Sequence, residues 1–432
     1  MGNPSLLIRG GTLVDPSQGV DAPRDVLLEN GRVEAILRPG RKPPPDARVL
    51  DAAGCWVIPG IIDLHVHLRE PGREEAETIE TGTRSAAKGG VCTVLAMPNT
   101  LPPTDSPEKV RWVYARARER ASVNVLVAGA VTLGQAGRAL TRMEALAAAG
   151  AAAFSDDGLP VADAGLMRAA LKRAKRLGLP VLDHAEDLEL TGRGVMHEGA
   201  ASRRKRLPGI PAFSEALMSA RDIRLAEETG APLHLCHVSC AAVVDMVRDA
   251  KRRGVRVTAE AAPHHFSLTD EDIPDADPNY KMKPPLRAAR DRAAVIEGLA
   301  DGTLDVIATD HAPHPAGEKA RGMCGAPFGI VGLETLIPLS LELVRRRALS
   351  RRALAERLST SPARILGLRA KGTLRRGADA DVTLIDPAAR TILRAPLASK
   401  SANTPFLGRA LRGAARATIV GGRVAYRSKE AQ

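Results

Sequence analysis

Two histidines, His65 and His67, close the apolar run Gly60-Ile61-Ile62-Asp63-Leu64-His65-Val66-His67-Leu68-Arg69. On an extended chain residues i and i+2 point to the same side. Both imidazoles therefore face one point, an arrangement that suits a metal ion. More groups of ligating type follow at Asp156-Asp157, His184, His237 and Asp310. Four histidines and two aspartates suit one or two divalent ions, zinc first among them and two ions favoured. With two ions a carboxylate must bridge them. Asp157 is assigned that place. Asp156 is its rival, because alternation turns the two in opposite directions. Zinc lowers the pKa of a bound water to about 7. Asp310, as ligand and general base, can take that water's proton and pass it to a leaving nitrogen. This is chemistry for opening an amide or ester, or for closing one in reverse. Arg69 lies two residues beyond His67 on the same face and can hold a substrate carboxylate through two parallel hydrogen bonds. Asn99 and His314 complete that grip, although Asn99, in Met97-Pro98-Asn99-Thr100, also fits a turn.

These residues are far apart in sequence, so a scaffold has to gather them. From about residue 57, apolar runs alternate with helical patterns. The runs are 56–63, 91–97, 123–130, 151–155, 180–182, 232–236, 255–261 and 304–308. Between them, Leu166, Met167, Ala170, Leu171, Ala174 and Leu177 keep the spacing of one buried helical face. Eight strands alternating with helices predict a (β/α)8 TIM-type barrel with its site at the carboxyl ends of the strands. Those ends carry His65, His67, Asn99, Asp156-Asp157, His184, His237, His264-His265 and Asp310. Most of the chain's ten histidines are in that set. His234 is out of phase with His237 and is expected to face the barrel exterior or a hydrogen-bond partner. Cys236 alternates away from His237. The segment 314–327, rich in glycine and charge, is expected to form a mobile lid.

The chain ends read differently. Short strands recur in 1–57, with Asn30-Gly31 marking a hairpin, and again in 368–432. The expected organisation is a small β-sandwich domain formed from both ends, 1–57 and 368–432, beside a barrel spanning 58–367.

Composition narrows the function classes. Of 432 residues, 44% are hydrophobic and only 2% aromatic. The core must be aliphatic, and single-strand nucleic-acid binding, which depends on aromatic stacking, is disfavoured. The net charge of +12 comes from dispersed arginines rather than a basic tail, so it reads as solvated surface with some benefit to anionic substrates. No apolar run is long enough for a membrane span. The Met1-Gly2-Asn3-Pro4 start lacks a signal-peptide pattern. Five scattered cysteines without a Cys-x-x-Cys pair suit a reducing, cytoplasmic setting.

The motifs, taken together, resemble the dihydroorotases of the amidohydrolase superfamily. They are Asp63-Leu64-His65-Val66-His67-Leu68-Arg69-Glu70-Pro71-Gly72, Ala96-Met97-Pro98-Asn99-Thr100, Phe154-Ser155-Asp156-Asp157-Gly158, Gly209-Ile210-Pro211, Cys236-His237-Val238-Ser239 and Ala308-Thr309-Asp310-His311-Ala312-Pro313-His314. The order and the Asp-Asp-Gly motif are similar to the type I enzymes. The resemblance implies zinc-dependent interconversion of N-carbamoyl-aspartate and dihydroorotate in pyrimidine synthesis. It implies one zinc at His65 and His67, a second at His184 and His237, Asp157 as the bridge, and Asp310 as ligand and base. Arg69, Asn99 and His314 would bind the substrate carboxylate and Phe328-Gly329 would contact the ring, with His67 also beside the substrate. It further implies a homodimer and association with aspartate transcarbamoylase. Dihydropyrimidinases, hydantoinases and allantoinases, the alternative cyclic amidases, usually place a carboxylated lysine at the bridge. A non-catalytic subunit would have lost ligands, and all six positions are filled here. One departure stands out. The family often has Asn before the paired prolines in Lys-Met-Asn-Pro-Pro-Leu-Arg, where this chain has Lys281-Met282-Lys283-Pro284-Pro285-Leu286-Arg287.

Overall fold

The computed structural model describes residues 5–42 and 44–428. Met1-Gly2-Asn3-Pro4, Pro43 and residues 429–432, the end of the expected 368–432 segment, lie outside them. Eight parallel strands follow one another in chain order: β1 (Ile61–Val66), β2 (Val91–Ala96), β3 (Asn124–Gly129), β4 (Ala153–Phe154), β5 (Val181–Asp183), β6 (Leu233–Leu235), β7 (Val257–Ala261) and β8 (Val306–Ile307). Each pairs with the next. The ring closes where Val66 meets His311, beyond β8, in a parallel bridge. There the His67 amide donates to the His311 carbonyl at 2.9 Å. This is a (β/α)8 barrel.

The helices between the strands follow from the sequence in the expected way. In the helix Ala164–Leu177 the face formed by Met167, Ala170, Leu171 and Ala174 is buried, the Asp163 carboxylate accepts from the Leu166 amide at the start, and Gly178 in the left-handed region ends it. Small and aliphatic side chains fill the barrel interior. Ile62, Leu64, Leu95, Ala128, Ala153, Leu182 and Val306 pack in one cluster with Met97, Cys236 and Ala308 just beyond the strand ends.

The two ends of the chain meet in a pair of sheets. One contains, in spatial order, Arg32–Leu37, Asp25–Glu29, Leu6–Arg9 and Arg48–Asp51. The other contains Arg423–Arg427, Ala410–Val420, Val382–Ile392, Trp56–Pro59, Thr12–Asp15 and Val20–Pro23. Leu6, Ile8, Val26, Val57, Leu384 and Ile419 share one core between them, so the sheets form a sandwich. Asn30 and Gly31 both have positive φ, 50° and 76°, at the tight turn between Asp25–Glu29 and Arg32–Leu37.

The run 56–63 is not one strand, as the sequence suggested. Trp56–Pro59 belongs to the sandwich and pairs antiparallel with Val382–Ile392, whereas Ile61–Val66 opens the barrel. Gly60 is the joint. Its amide donates to the Asp381 carbonyl at 2.8 Å, and a Cβ there would lie 2.8 Å from Cys92 Cβ and 2.9 Å from Asp381 Cβ. Apolar character persists across the joint because both sides are buried, so periodicity could not reveal it.

Among the described residues no helix is long and apolar enough to cross a membrane. All five cysteines are free. The segment 314–327 contains two helical turns, Ala316–Lys319 and Gly322–Gly325. Lys319 within it donates to the carbonyls of Lys281, Pro327 and Gly329.

The crowding at Gly60 gives a test. Gly60→Val should lower the stability of the protein by about 1–3 kcal/mol in urea unfolding. Gly317→Ala, whose Cβ would meet no atom within 4 Å, should leave the midpoint nearly unchanged.

Candidate active site

The barrel brings the predicted ligating residues to one end. His65 sits in β1 and His67 one residue past it. Asp157 lies three past β4, His184 one past β5, His237 two past β6 and Asp310 three past β8. Backbone strain accompanies this gathering. Arg69, His237 and Asp310 have φ of 60°, 35° and 48°, three of the nine non-glycine residues with positive φ among those described. Left-handed conformations cost such residues energy and persist where surrounding structure enforces them, often at functional sites.

Asp157 is the hub. Its Oδ1 lies 3.2 Å from His65 Nε2, 3.4 Å from His184 Nδ1 and 3.8 Å from His237 Nε2, while Oδ2 lies 3.4 Å from His67 Nε2. Asp310 Oδ1 lies 3.3 Å from His67 Nε2 and 3.6 Å from His65 Nε2. His184 Nδ1 and His237 Nε2 are 3.0 Å apart. All six side chains are buried. Burial alone would raise Asp157, but His65, His184 and His237 hold it well below the usual carboxylate range. Asp310 is likewise held down against burial by His67, His65 and His237. Both carboxylates are therefore anions.

Orientation separates Asp156 from Asp157. Asp156 turns away, and its carboxylate accepts from the backbone amides of Val131 and Thr132 and from the Thr132 hydroxyl. Burial pushes it up to about 7, against those hydrogen bonds. Only Asp157 faces the histidines.

This donor set fits divalent ions. The buried atoms His65 Nε2 and Asp157 Oδ1 have no hydrogen-bond partner although they face each other. His65, His67 and Asp310 group around one point, and His65, Asp157 and His237 around another. Converging imidazole nitrogens and carboxylate oxygens with buried atoms left unpaired, as at His65 Nε2 and Asp157 Oδ1, are the donors a metal ion requires.

A further layer orients the ligands. His65 Nδ1 donates to Glu260 Oε1 at 2.9 Å, and His234 Nε2 donates to the other oxygen at 3.0 Å. Burial works against this carboxylate's charge, but the two histidines bring it down to about 2. His234 thus has a hydrogen-bond partner, one of the two fates expected for it. His184 Nε2 donates to Glu186 Oε2 at 3.1 Å, leaving Nδ1 for the cluster. Burial opposes protonation of His184, but Asp157 and Glu186 together raise it to about 10. The sequence reading missed Glu260 and Glu186. Glu260 is a lone carboxylate inside the buried strand Val257–Ala261, and Glu186 lies three residues past Val181–Asp183 and two past His184, and that placement was the available signal. Cys236 also lies near His65 and Glu260. Burial and Glu260 hold its thiol well above the usual range, so it supplies no thiolate.

The residues expected to bind substrate, Arg69, Asn99, His314, Phe328 and Gly329, line the same cavity of about 230 Å3, and Lys283 lines it with them. Arg69 is buried, its Nε donating to the Pro313 carbonyl at 3.2 Å and its Nη2 lying 3.3 Å from His314 Nε2. Burial lowers it to about 10, still a cation. Asn99 does more than shape a turn. Its Oδ1 accepts from His67 Nδ1 at 2.8 Å and its Nδ2 donates to Asp157 Oδ2 at 3.3 Å. His314 Nε2 donates to the Phe328 carbonyl at 2.8 Å. His264 and His265 are buried behind the site, where His265 Nε2 donates to the Pro284 carbonyl at 2.9 Å.

The chain was compared with known proteins. The family model described as "Dihydro-orotase-like" matches residues 54–242, and one described as "Amidohydrolase family" matches 328–426. A protein named dihydroorotase from Pelobacter propionicus is 51% identical over 98% of this chain and 100% of its own length. Another from Pelotomaculum thermopropionicum is 52% identical over 98% of this chain and 99% of its own. Among solved structures, the L-hydantoinase (dihydropyrimidinase) of Arthrobacter aurescens has a TM-score of 0.88 at 26% identity, covering 99% of this chain and 96% of that one. Dihydropyrimidinase from Brevibacillus agri NCHU1002 has a TM-score of 0.86 at 26% identity, covering 98% and 95%.

The layered geometry predicts separable effects on metal affinity. Asp157→Asn should abolish retention of divalent metal through gel filtration, while Asp156→Asn should keep it. Glu260→Gln should weaken binding about 10–100-fold in competition against a chromophoric chelator.

Proposed function

The chain belongs to the dihydroorotase family, and from that premise we propose how its site interconverts N-carbamoyl-L-aspartate and L-dihydroorotate in pyrimidine synthesis. The observation that carries the reading is a buried arginine, Arg69, in the same small cavity as the Asp157-centred cluster. A hydrolytic centre for cyclic amides needs no such cation. One acting on a ring that bears a carboxylate does.

His65, His67 and Asp310 would hold one zinc ion and His184 and His237 a second, with Asp157 serving both. Bound there, zinc supplies a polarised carbonyl and a water of lowered pKa. The protein's own groups do the rest. Arg69, with Asn99 and His314, fixes the substrate carboxylate and so fixes the reacting carbonyl over the cluster. The Phe328-Gly329 segment contacts the ring. Asp310 takes the proton from the attacking water during ring opening and delivers it to the departing nitrogen, and in ring closure the same carboxylate moves it back. Burial of Arg69, Asp157 and Asp310 strengthens each of these interactions by excluding bulk water.

Three wider readings go with this one. The chain divides at about 57 and 367 into sandwich, barrel and sandwich. Five free cysteines, four of them buried, support a reducing cytoplasmic location. Homodimerisation and association with aspartate transcarbamoylase rest on the family resemblance, and sedimentation with and without the transcarbamoylase checks both.

Chelation should remove ring-closing and ring-opening activity together, and zinc should restore them. Asp310→Asn should lower kcat by about 10²–10⁴-fold in both directions. A substrate panel separates the dihydroorotase from a hydantoinase-type enzyme. Arg69→Met should cripple turnover of dihydroorotate while changing the low activity on uncharged dihydrouracil little. Equal activity of the parent chain on both rings would contradict the reading.

A further inference from the structure

Lys283 stands where the family pattern has asparagine, and the proposed chemistry does not use it. Its side chain lines the cavity and is about four-fifths buried. Its Nζ pairs with Glu186 Oε2 at 3.0 Å, the oxygen that also accepts from His184 Nε2. It lies 4.9 Å from the centre of the Phe328 ring. Glu186 is further held by the Thr191 hydroxyl at 2.8 Å. The ammonium is therefore fixed by two neighbours, the Glu186 carboxylate and the Phe328 ring, at the wall of the cavity rather than free to sweep into solvent.

Its place relative to Arg69 matters. Arg69 follows β1 and is tied to the Pro313 carbonyl beyond β8. Lys283 is tied to Glu186 beyond β5. In a ring of eight strands in chain order, β1 and β5 lie across the barrel from each other. Lys283 itself lies in the connection between β7 and β8 and also approaches Phe328, beyond β8, so the cavity has two cations fixed by different partners, Arg69 by Pro313 and Lys283 by Glu186.

The two forms of the substrate differ in charge. N-carbamoyl-aspartate has two carboxylates. On closure, its ureido nitrogen forms a C–N bond to the second carboxyl carbon, a C–O bond breaks, one proton is consumed in net, and one oxygen leaves as water. The ring retains a single carboxylate. We propose that Lys283 is a second carboxylate-binding residue, holding the carboxylate that exists only in the open-chain form and distinct from the one held by Arg69. This rests on the dihydroorotase reading and deepens it. The contact is present in the open-chain complex and persists in the transition state, where those oxygens still carry negative charge. It is absent in the complex with the ring.

That asymmetry dictates a kinetic signature. Removing the ammonium weakens open-chain binding and the transition state alike, so in ring closure KM rises and kcat holds. In ring opening the bound ring never had the contact, so KM holds and kcat falls. The equilibrium constant is unchanged, so kcat/KM falls by one common factor in both directions.

The test is steady-state kinetics in both directions on zinc-loaded wild type, Lys283→Met, Lys283→Gln and Lys283→Arg, with metal content measured on each. For Met and Gln, KM for N-carbamoyl-aspartate should rise about tenfold and kcat for dihydroorotate should fall by the same factor. The other two constants should move less than about twofold, and Arg should recover most of the loss. Gln replaces Met as the deciding variant should Met fail to fold. If Lys283 serves only as a counterion for Glu186, His184 is disturbed instead. Metal is then lost, or kcat falls in both directions, and either result overturns the proposal, as do unchanged constants. A wild-type chain that turns over neither compound overturns the functional reading and this inference with it. An active wild type with the wrong pattern in its variants overturns this inference alone.

Discussion

The carboxylate of Asp157, buried among four imidazoles, is the interaction on which the site depends. A lone anion at that depth would cost several kcal/mol to desolvate. It is tolerated because His65, His67, His184 and His237 all lie within 3.2–3.8 Å of its oxygens, and because the set as a whole offers its lone pairs to positive charge. Those histidines come from three strands, and Asp157 from a fourth. The cluster therefore cannot form until the barrel has closed. The closure itself runs through the site, since the His67 amide completes the ring by bonding His311 across from β8. Fold and chemistry share that hydrogen bond.

Orientation then descends through a second layer. Glu260 accepts from His65 and from His234, linking β1, β6 and β7, and in doing so assigns the proton to Nδ1 of His65 and leaves Nε2 to face Asp157. Glu186 does the same for His184 with the nitrogens exchanged. Asn99 does it for His67. In each case a group just outside the ligand set chooses the tautomer, which is why ligand identity alone does not describe such a centre.

The sequence carried much of this. A strand end is legible where an apolar run stops at a histidine or aspartate, and His65, His67, His184, His237 and Asp310 all announced themselves that way. Asp156 and Asp157 did not, because β4 has only two paired residues, Ala153 and Phe154, and two residues cannot set a phase. Alternation correctly said that the pair must diverge, but which of them turned to the histidine cluster depended on the Val131 and Thr132 amides, a contact with another strand's loop. Glu260 and Glu186 were hidden for a different reason. Glu260 is a single carboxylate in an apolar segment whose partners are remote in sequence, and Glu186, two residues from His184, stands beside Asp187 with no period to single it out. Gly60 was misread because burial on both sides of the joint erased the change of sheet.

Charge balance ties the layers together. Four carboxylates, Asp157, Asp310, Glu260 and Glu186, are in side-chain contact with the four histidines. The fixed cations at the cavity are Arg69 and Lys283. Two negative charges are thus left uncompensated in a buried region, where each is costly unless paired. Protonated imidazoles can answer this in the absence of metal, as the raised His184 indicates. Divalent ions answer it by displacing those protons. With the proposed pair of zinc ions in place the balance reverses to two positive charges, and the cavity then matches a dianion. The open-chain substrate is a dianion and the ring a monoanion, so the same charge count that draws metal into the barrel mouth also favours the open-chain form over the ring. Lys283 is half of the fixed positive charge in that count. An asparagine at its position would shift the balance by one unit at the wall where the second carboxylate has to sit.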